Sequence, residues 1–298
     1  SANQKVQLAE LTNLFKAFGR ISLSPKQQKA LTPRFLRKMG LRSHKRIRNS
    51  ALDHAIDLLI AGYFFACRIC EIAKTQIPGQ TKLCRLRCLT FWDENKKEIP
   101  FGPKILLAHF VTVTFEDQKN GEKFEKRTQR RTDDESLCPV RRFGRAVLRV
   151  LMYVENADAD TFLCSTSSSA VRTNVITSEF TLEVLRSTCT KFGGIKEFGF
   201  RSTDIGNKSL RSGAAMGLFM TNTDATRIMI LGRWKSTAFL KYIRSQTLEW
   251  TDNLSRDLIS FENFTDLCLP NHTPNRDYLD KHQDKSRNMF IPSFLEGY

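Results

Sequence analysis

The sequence predicts an α+β fold, mainly α-helical, with one small antiparallel β-sheet set into it. Three observations carry that expectation. Apolar residues recur at helical spacing along much of the 298 residues, as at Val6, Leu8, Leu11, Phe15 and Phe18. Between residues 83 and 131 the period becomes that of strands, and Asn120-Gly121 marks a hairpin turn. Helix punctuation stands where it should: Ser50 as a cap, Pro139 as a first helical residue, Gly193-Gly194 as a stop. A hydrophobic content of 41% belongs to a chain that folds, and its length is enough for one good core or two modest ones.

The elements follow in order. Residues 6–22 form a helix that Ser22-Leu23-Ser24-Pro25 breaks, and the basic stretch to Arg48 is helix and loop. Ser50-Ala51-Leu52-Asp53 opens the next helix in capping-box style, feeding the apolar run 56–65. Arg68 and Glu71 then fall one turn apart and can share a face, while Cys67 and Cys70 point elsewhere. Leu89-Thr90-Phe91-Trp92 reads as a strand ended by Asp93-Glu94-Asn95. Phe110-Val111-Thr112-Val113-Thr114-Phe115 is the next strand, with 124–130 as its return. Lys119 stands just before that turn. Helices resume from Pro139 through Leu151 and again over 178–191. Short helices are expected at 209–220, 224–231 and 236–244, and one more runs to Phe264. Beyond Pro270 the tail is polar around a small apolar knot of Met289, Phe290, Ile291 and Phe294.

A formal charge of +16 calls for an anionic partner. Residues 1–48 hold twelve Lys/Arg against Glu10 alone, a local net of +11. Arg34, Arg37, Lys38, Arg42, Lys45, Arg46 and Arg48 are therefore candidate phosphate contacts. No stretch approaches the roughly 18 apolar residues of a membrane helix, and the start lacks the apolar segment of a secretion signal. A soluble, intracellular protein with no membrane partner is expected. Of eight cysteines, Cys67-x-x-Cys70 with Cys84-x-x-x-Cys88 looks superficially like a zinc module. Cys67 and Cys70 lie in an apolar segment, however, where they serve as small buried hydrophobes. No metal is expected.

Four features taken together resemble the tyrosine recombinases of the phage integrase type, and within them the eukaryotic Crypton and DIRS-like mobile-element branch. They are Ala66-Cys67-Arg68-Ile69-Cys70-Glu71, Lys119 before a hairpin turn, Lys208-Ser209-Leu210-Arg211, and Leu231-Gly232-Arg233-Trp234 ending in Tyr242. The resemblance covers residues 50–250 and implies a catalytic domain that cuts and rejoins DNA without metal or cofactor. Tyr242 would be the nucleophile, forming a 3′-phosphotyrosyl bond and freeing a 5′ hydroxyl. Arg68 and Arg211 would clamp the phosphate, for which a planar guanidinium fork is suited. Glu71 would support Arg68. Lys119 would protonate the departing oxygen, and Lys208 would stand where the family has histidine or lysine. The family also has His or Trp nine residues before the nucleophile; counting back gives Arg233, and a shift of one gives Trp234.

The same resemblance divides the chain into a basic N-terminal helical arm or remnant of a DNA-clamping domain (1–48), a catalytic domain (49–250) and a C-terminal helix and tail (251–298). Leu254, Leu258, Phe261 and Phe264 could pack on a neighbouring protomer or within the chain. It implies double-stranded DNA as substrate, a dimer or tetramer on DNA, and a nuclear location if the source is eukaryotic, otherwise cytoplasmic. Two other readings stay open: a catalytically silent DNA-binding relative, and an enzyme like the type IB topoisomerases. Tyr63 falls within the apolar run 56–65 and reads as core.

Overall fold

The computed structural model describes residues 28–76, 81–118, 121–167, 174–221, 223–235 and 240. All belong to the unit Ser1–Gln246. The expectations for residues 6–22 and 251–298, and nearly all of 236–244, lie outside the described residues.

Helix α1 (Pro33–Gly40) starts where the Thr32 hydroxyl accepts from the Phe35 amide at 3.2 Å, with Pro33 in the first position. It buries Phe35, Leu36 and Met39 in the main core. Residues 30–40 are thus built into the fold rather than extending as an arm, because the basic run carries an apolar face. The central element is α2 (Ala51–Phe64), capped by the Ser50 hydroxyl accepting from the Asp53 amide at 3.2 Å. Helices α4 (Pro139–Tyr153), α5 (Ser178–Lys191) and α7 (Ser209–Met220) pack around α2. The short α3 (Ile69–Ile72) follows α2, α6 (Ile195–Phe198) follows α5, and α8 (Ala225–Gly232) packs on α7.

A helix covered on all sides must pair the polar groups it buries. Asp57 receives Arg142 at 2.8 Å, Arg149 at 3.0 Å and Arg145 at 3.1 Å. Arg145 and Arg149 also donate to the carbonyls of His44, Lys45 and Arg48, which ties the basic loop 41–49 onto α4. Burial holds His54 down to a pKa of about 3, so its neutral ring donates Nε2–H to the Leu163 carbonyl at 2.8 Å.

Four antiparallel strands form the sheet, in the order β2 (Glu98–Ile99), β1 (Leu89–Trp92), β3 (Phe110–Phe115), β4 (Glu125–Arg130). β2 was not expected from the sequence. β4 begins one residue later than expected, because Phe124 takes φ 55° and leaves the ladder. Leu89, Phe91, Val111, Val113 and Phe115 face the core. At α7, a β-carbon on Gly213 would lie 2.3 Å from the Leu31 carbonyl oxygen, so the small residues after Arg211 admit the backbone of residues 29–31. There the Leu31 amide donates to the Ser209 carbonyl at 3.1 Å. Tyr63 is core, its buried hydroxyl donating to the Gly213 carbonyl at 3.1 Å.

Candidate functional site

Two helix ends build the site. Helix α2 closes with the Ala66 amide on the Tyr63 carbonyl and the Cys67 amide on the Gly62 carbonyl. Helix α8 closes alike, with Arg233 on Ile230 and Trp234 on Met229. Both are Schellman motifs, whose left-handed residue is usually glycine. Here those residues are Ala66 (φ 45°) and Arg233 (φ 56°). Non-glycine residues in this region carry strain, which concentrates at functional sites.

The Ala66 carbonyl is where the arginines meet. Arg211 Nη1 donates to it at 2.9 Å, and Arg233 Nη2 lies 3.5 Å away. Arg211 Nη2 also donates to the Gly232 carbonyl. Its guanidinium lies 4.4 Å from the centroid of the Trp234 ring, a cation–π stack. The Arg233 guanidinium sits 3.5 Å from the centroid of Phe115 on β3 and pairs with Glu71 Oε2 at 2.8 Å. Glu71 turns its other oxygen to Arg68 Nη1 at 3.1 Å, and Oε2 also accepts the Arg68 amide at 2.8 Å. One wholly buried carboxylate therefore bridges two arginines. Arg68 keeps 24% of its side chain exposed, whereas Arg233 keeps none.

Arg68, Glu71, Arg211 and Arg233 are thus brought together from three stretches of chain, with Trp234 stacked on the group. The two candidates for the ambiguous position are both used, in different ways. Arg233 is buried against Glu71; Trp234 packs on Arg211. Lys208 is not joined to this group by any hydrogen bond or ion pair among the described residues. It lies exposed one turn before Arg211, its amide on Gln28 Oε1 at 2.9 Å. Lys119 and Tyr242 lie outside the described residues. A cleft of ≈ 230 Å³ opens beside Arg233 and Trp234, walled by Arg127 and Lys235 and by Glu122 and Glu125. Its acids are answered in place: Lys235 pairs with Glu122 at 2.9 Å, and Arg127 with Glu125.

Sequence reasoning missed the Ala66 and Gly232 carbonyls and Phe115. It also missed that Cys67 sits in this cluster. Burial first, then Glu71, push the Cys67 thiol up to about 12 against the opposing pull of Arg233 and Arg211. That keeps it protonated and a poor nucleophile.

Among the basic residues before Ser50, Arg34 and Lys38 pair with Glu197 and Arg37 with Asp134. Arg42 turns into the fold, donating to the Val184 carbonyl and to the Ser187 and Thr188 hydroxyls at 2.6–3.0 Å. Lys45, Arg46 and Arg48 are exposed. Cys67, Cys84 and Cys88 are buried and Cys70 half-buried, all as free thiols. Among the described residues no group of three or more His, Cys, Asp or Glu is placed to hold a metal ion, and no helix is long and apolar enough to cross a membrane.

No protein-family model matches the chain. No curated protein matches it. Among solved structures it is similar to the crystal structure of the XerH site-specific recombinase bound to difH substrate in a pre-cleavage complex, at 13% sequence identity and a TM-score of 0.42. The alignment covers 81% of this chain and 56% of that one, so this chain spans little more than half of that protein's length.

Proposed function

We propose that this protein cleaves and rejoins DNA strands through Tyr242. The observation that supports this reading is the cluster of three arginines: Glu71 bridges Arg68 and Arg233, and Arg211 meets Arg233 at the Ala66 carbonyl. Three guanidiniums against one carboxylate leave a local charge of +2. A phosphodiester attacked by a phenolate passes through a pentavalent species of charge −2, so the cluster has the sign and size such a transition state needs. In the step itself the Tyr242 hydroxyl gives its proton to solvent water, its oxygen bonds to phosphorus, and the bond to the 5′ oxygen breaks. That oxygen takes a proton from Lys119, with Lys208 as a further donor to the phosphate. Attack by a 5′ hydroxyl on the phosphotyrosyl bond reverses the sequence, so neither ATP nor metal is required. The proposal extends to a nuclear mobile-element recombinase of the Crypton or DIRS-like kind, assembling as a dimer or tetramer on duplex DNA. Lys45, Arg46 and Arg48 would contact the phosphate backbone.

A second reading has an observation in its favour. Arg211 and Arg233 are almost wholly buried; Arg211 Nη1 and Nη2 donate to the Ala66 and Gly232 carbonyls, and Arg233 Nη2 donates to Glu71. A relative that binds DNA without cutting it would need no more. One assay separates the two. Nicked suicide duplexes selected for binding from a randomised pool are incubated with the protein in EDTA. A denaturation-resistant protein–DNA adduct, absent from Tyr242→Phe, is expected. An adduct that survives in Tyr242→Phe sinks the assignment of Tyr242, and tight binding with no adduct selects the silent relative. Relaxation of any plasmid regardless of sequence selects an enzyme like the type IB topoisomerases.

A further inference from the structure

We propose that the outer face of the sheet is a binding site for single-stranded nucleic acid, distinct from the arginine cluster. Side chains alternate across a sheet, so the strands that send Phe91, Val111 and Val113 inward send another set outward. Register places Trp92 beside Phe110, Thr112 beside Thr128, and Thr114 beside Lys126. Trp92, Phe110, Thr112, Thr128 and Lys126, with Lys96 from the β1–β2 turn, line a cleft of ≈ 420 Å³. That falls within the range of about 300–1,000 Å³ typical of ligand sites.

The chemistry of the cleft is specific. Trp92 donates its indole N–H to the Thr112 hydroxyl at 2.8 Å, and the Thr112 and Thr128 hydroxyls are 2.8 Å apart. The only donor of the indole is therefore satisfied across the strands, and what remains to a ligand is the ring itself. Lys96 and Lys126 stand exposed at the cleft, and Arg130 pairs in register with Phe110 at its end. Glu98 lies opposite Trp92 on β2, and Asp93 and Glu94 precede Lys96 in the turn; against these three acids stand Lys96, Lys97, Lys126 and Arg130, four cations, so the surround stays net positive. A flat aromatic floor with cations at the rim suits an unstacked base joined to phosphates. Bases within a duplex hide their faces, so the floor discriminates in favour of single strands. An apolar protein partner is the poorer fit, since the rim is cationic and the floor shares its area with threonines. The site stands on its own geometry and needs no cleavage chemistry.

The test uses the full chain and a fluorescein-labelled oligothymidylate of about 12 nucleotides, with a duplex of equal length for comparison. Fluorescence anisotropy should show Trp92→Ala weakening single-strand binding about tenfold or more, since stacking on one aromatic ring is worth that much. Trp92→Phe, which keeps a ring but loses the bond to Thr112, should restore most of it. Lys126→Glu, at an exposed position, should weaken it severalfold and flatten its salt dependence. Duplex affinity should hold within about twofold for all three. The proposal is overturned if Trp92→Ala and Lys126→Glu both leave single-strand affinity unchanged, or if duplex affinity falls in parallel. It is also overturned if the wild-type protein does not bind the oligonucleotide at all. Should Trp92→Ala fail to fold, Lys126→Glu and Trp92→Phe decide alone.

Discussion

The pair formed by Glu71 and Arg233 offers the sharpest test of the site's construction. Both side chains are wholly buried, and the contact is 2.8 Å. With an effective dielectric of about 20, unit charges at that separation attract by roughly 6 kcal/mol. Taking each ion out of water costs several kcal/mol, so the intact pair contributes little net stability, yet removing one partner costs about 3–5 kcal/mol. Glu71→Gln keeps one acceptor oxygen and sits at the low end, about 3 kcal/mol. Arg233→Met leaves Glu71 with Arg68 alone and costs a similar amount. Additivity would make the double variant about 6 kcal/mol less stable than the wild type. Because neither single variant leaves the pair intact, the double variant should lose only about 4 kcal/mol, a coupling of roughly 2 kcal/mol. Equilibrium urea unfolding followed by circular dichroism measures all four corners of the cycle. Additive losses, equal within about 0.5 kcal/mol, would show that the two residues do not meet, and the site as built here would be refuted.

Two further outcomes test the packing beneath the site. Gly213→Ala puts a methyl group 2.3 Å from a backbone oxygen that cannot rotate away, so α7 or residues 29–31 must shift, at a cost of about 2 kcal/mol or more. Gly102→Ala, with nothing within 4 Å of the new carbon, should leave the melting temperature nearly unchanged, and equal losses from the two would contradict the close approach. His54 bears on pH. Its folded pKa of about 3 lies below its ordinary value of 6.5, so between those values the unfolded chain binds a proton that the folded one does not. Stability is therefore present above the ordinary value and is lost as pH falls towards 3, by up to about 1.4 kcal/mol per pH unit. Chemical unfolding from pH 7 to pH 4 should show this slope, and His54→Asn should flatten it; parallel slopes in the two proteins would exclude His54 as the cause.

What the sequence disclosed depended on whether a feature leaves a mark in residue type. Helices α2, α5 and α7 were legible because caps and stops coincide with changes of periodicity, as at Ser50 and at Gly193-Gly194. Strand β2, at two residues, is shorter than any period. Arg68 and Glu71 stood out as opposite charges one turn apart beside an apolar run, whereas Arg211 was singled out only by the resemblance. The choice between Arg233 and Trp234 could not be made by counting back from Tyr242, since the fold uses adjacent residues on different partners. The carbonyls of Ala66 and Gly232 were invisible because every residue has one. What singles out Ala66 is a left-handed turn, which a sequence announces with glycine. Here alanine occupies it, and arginine occupies its counterpart at the end of α8.

The partners of each arginine also divide their work on the proposed reading. Arg211 gives its hydrogen bonds to two neutral carbonyls, those of Ala66 and Gly232. Bonds that involve one charged group contribute about 1.5–3 kcal/mol net, and a phosphate adds the attraction between two full charges. An arriving phosphate can therefore draw Arg211 away from its carbonyls at a gain. Arg233 Nη2 is held by the Glu71 carboxylate, and its guanidinium lies on the face of Phe115, with none of its side chain exposed to solvent. Arg68 shares Glu71 but keeps part of its guanidinium in solvent, so it can take a phosphate oxygen without leaving its partner. On the proposed reading the grip on DNA falls to Arg68 and Arg211. Glu71 acts from beneath as the counter-charge of both Arg68 and Arg233.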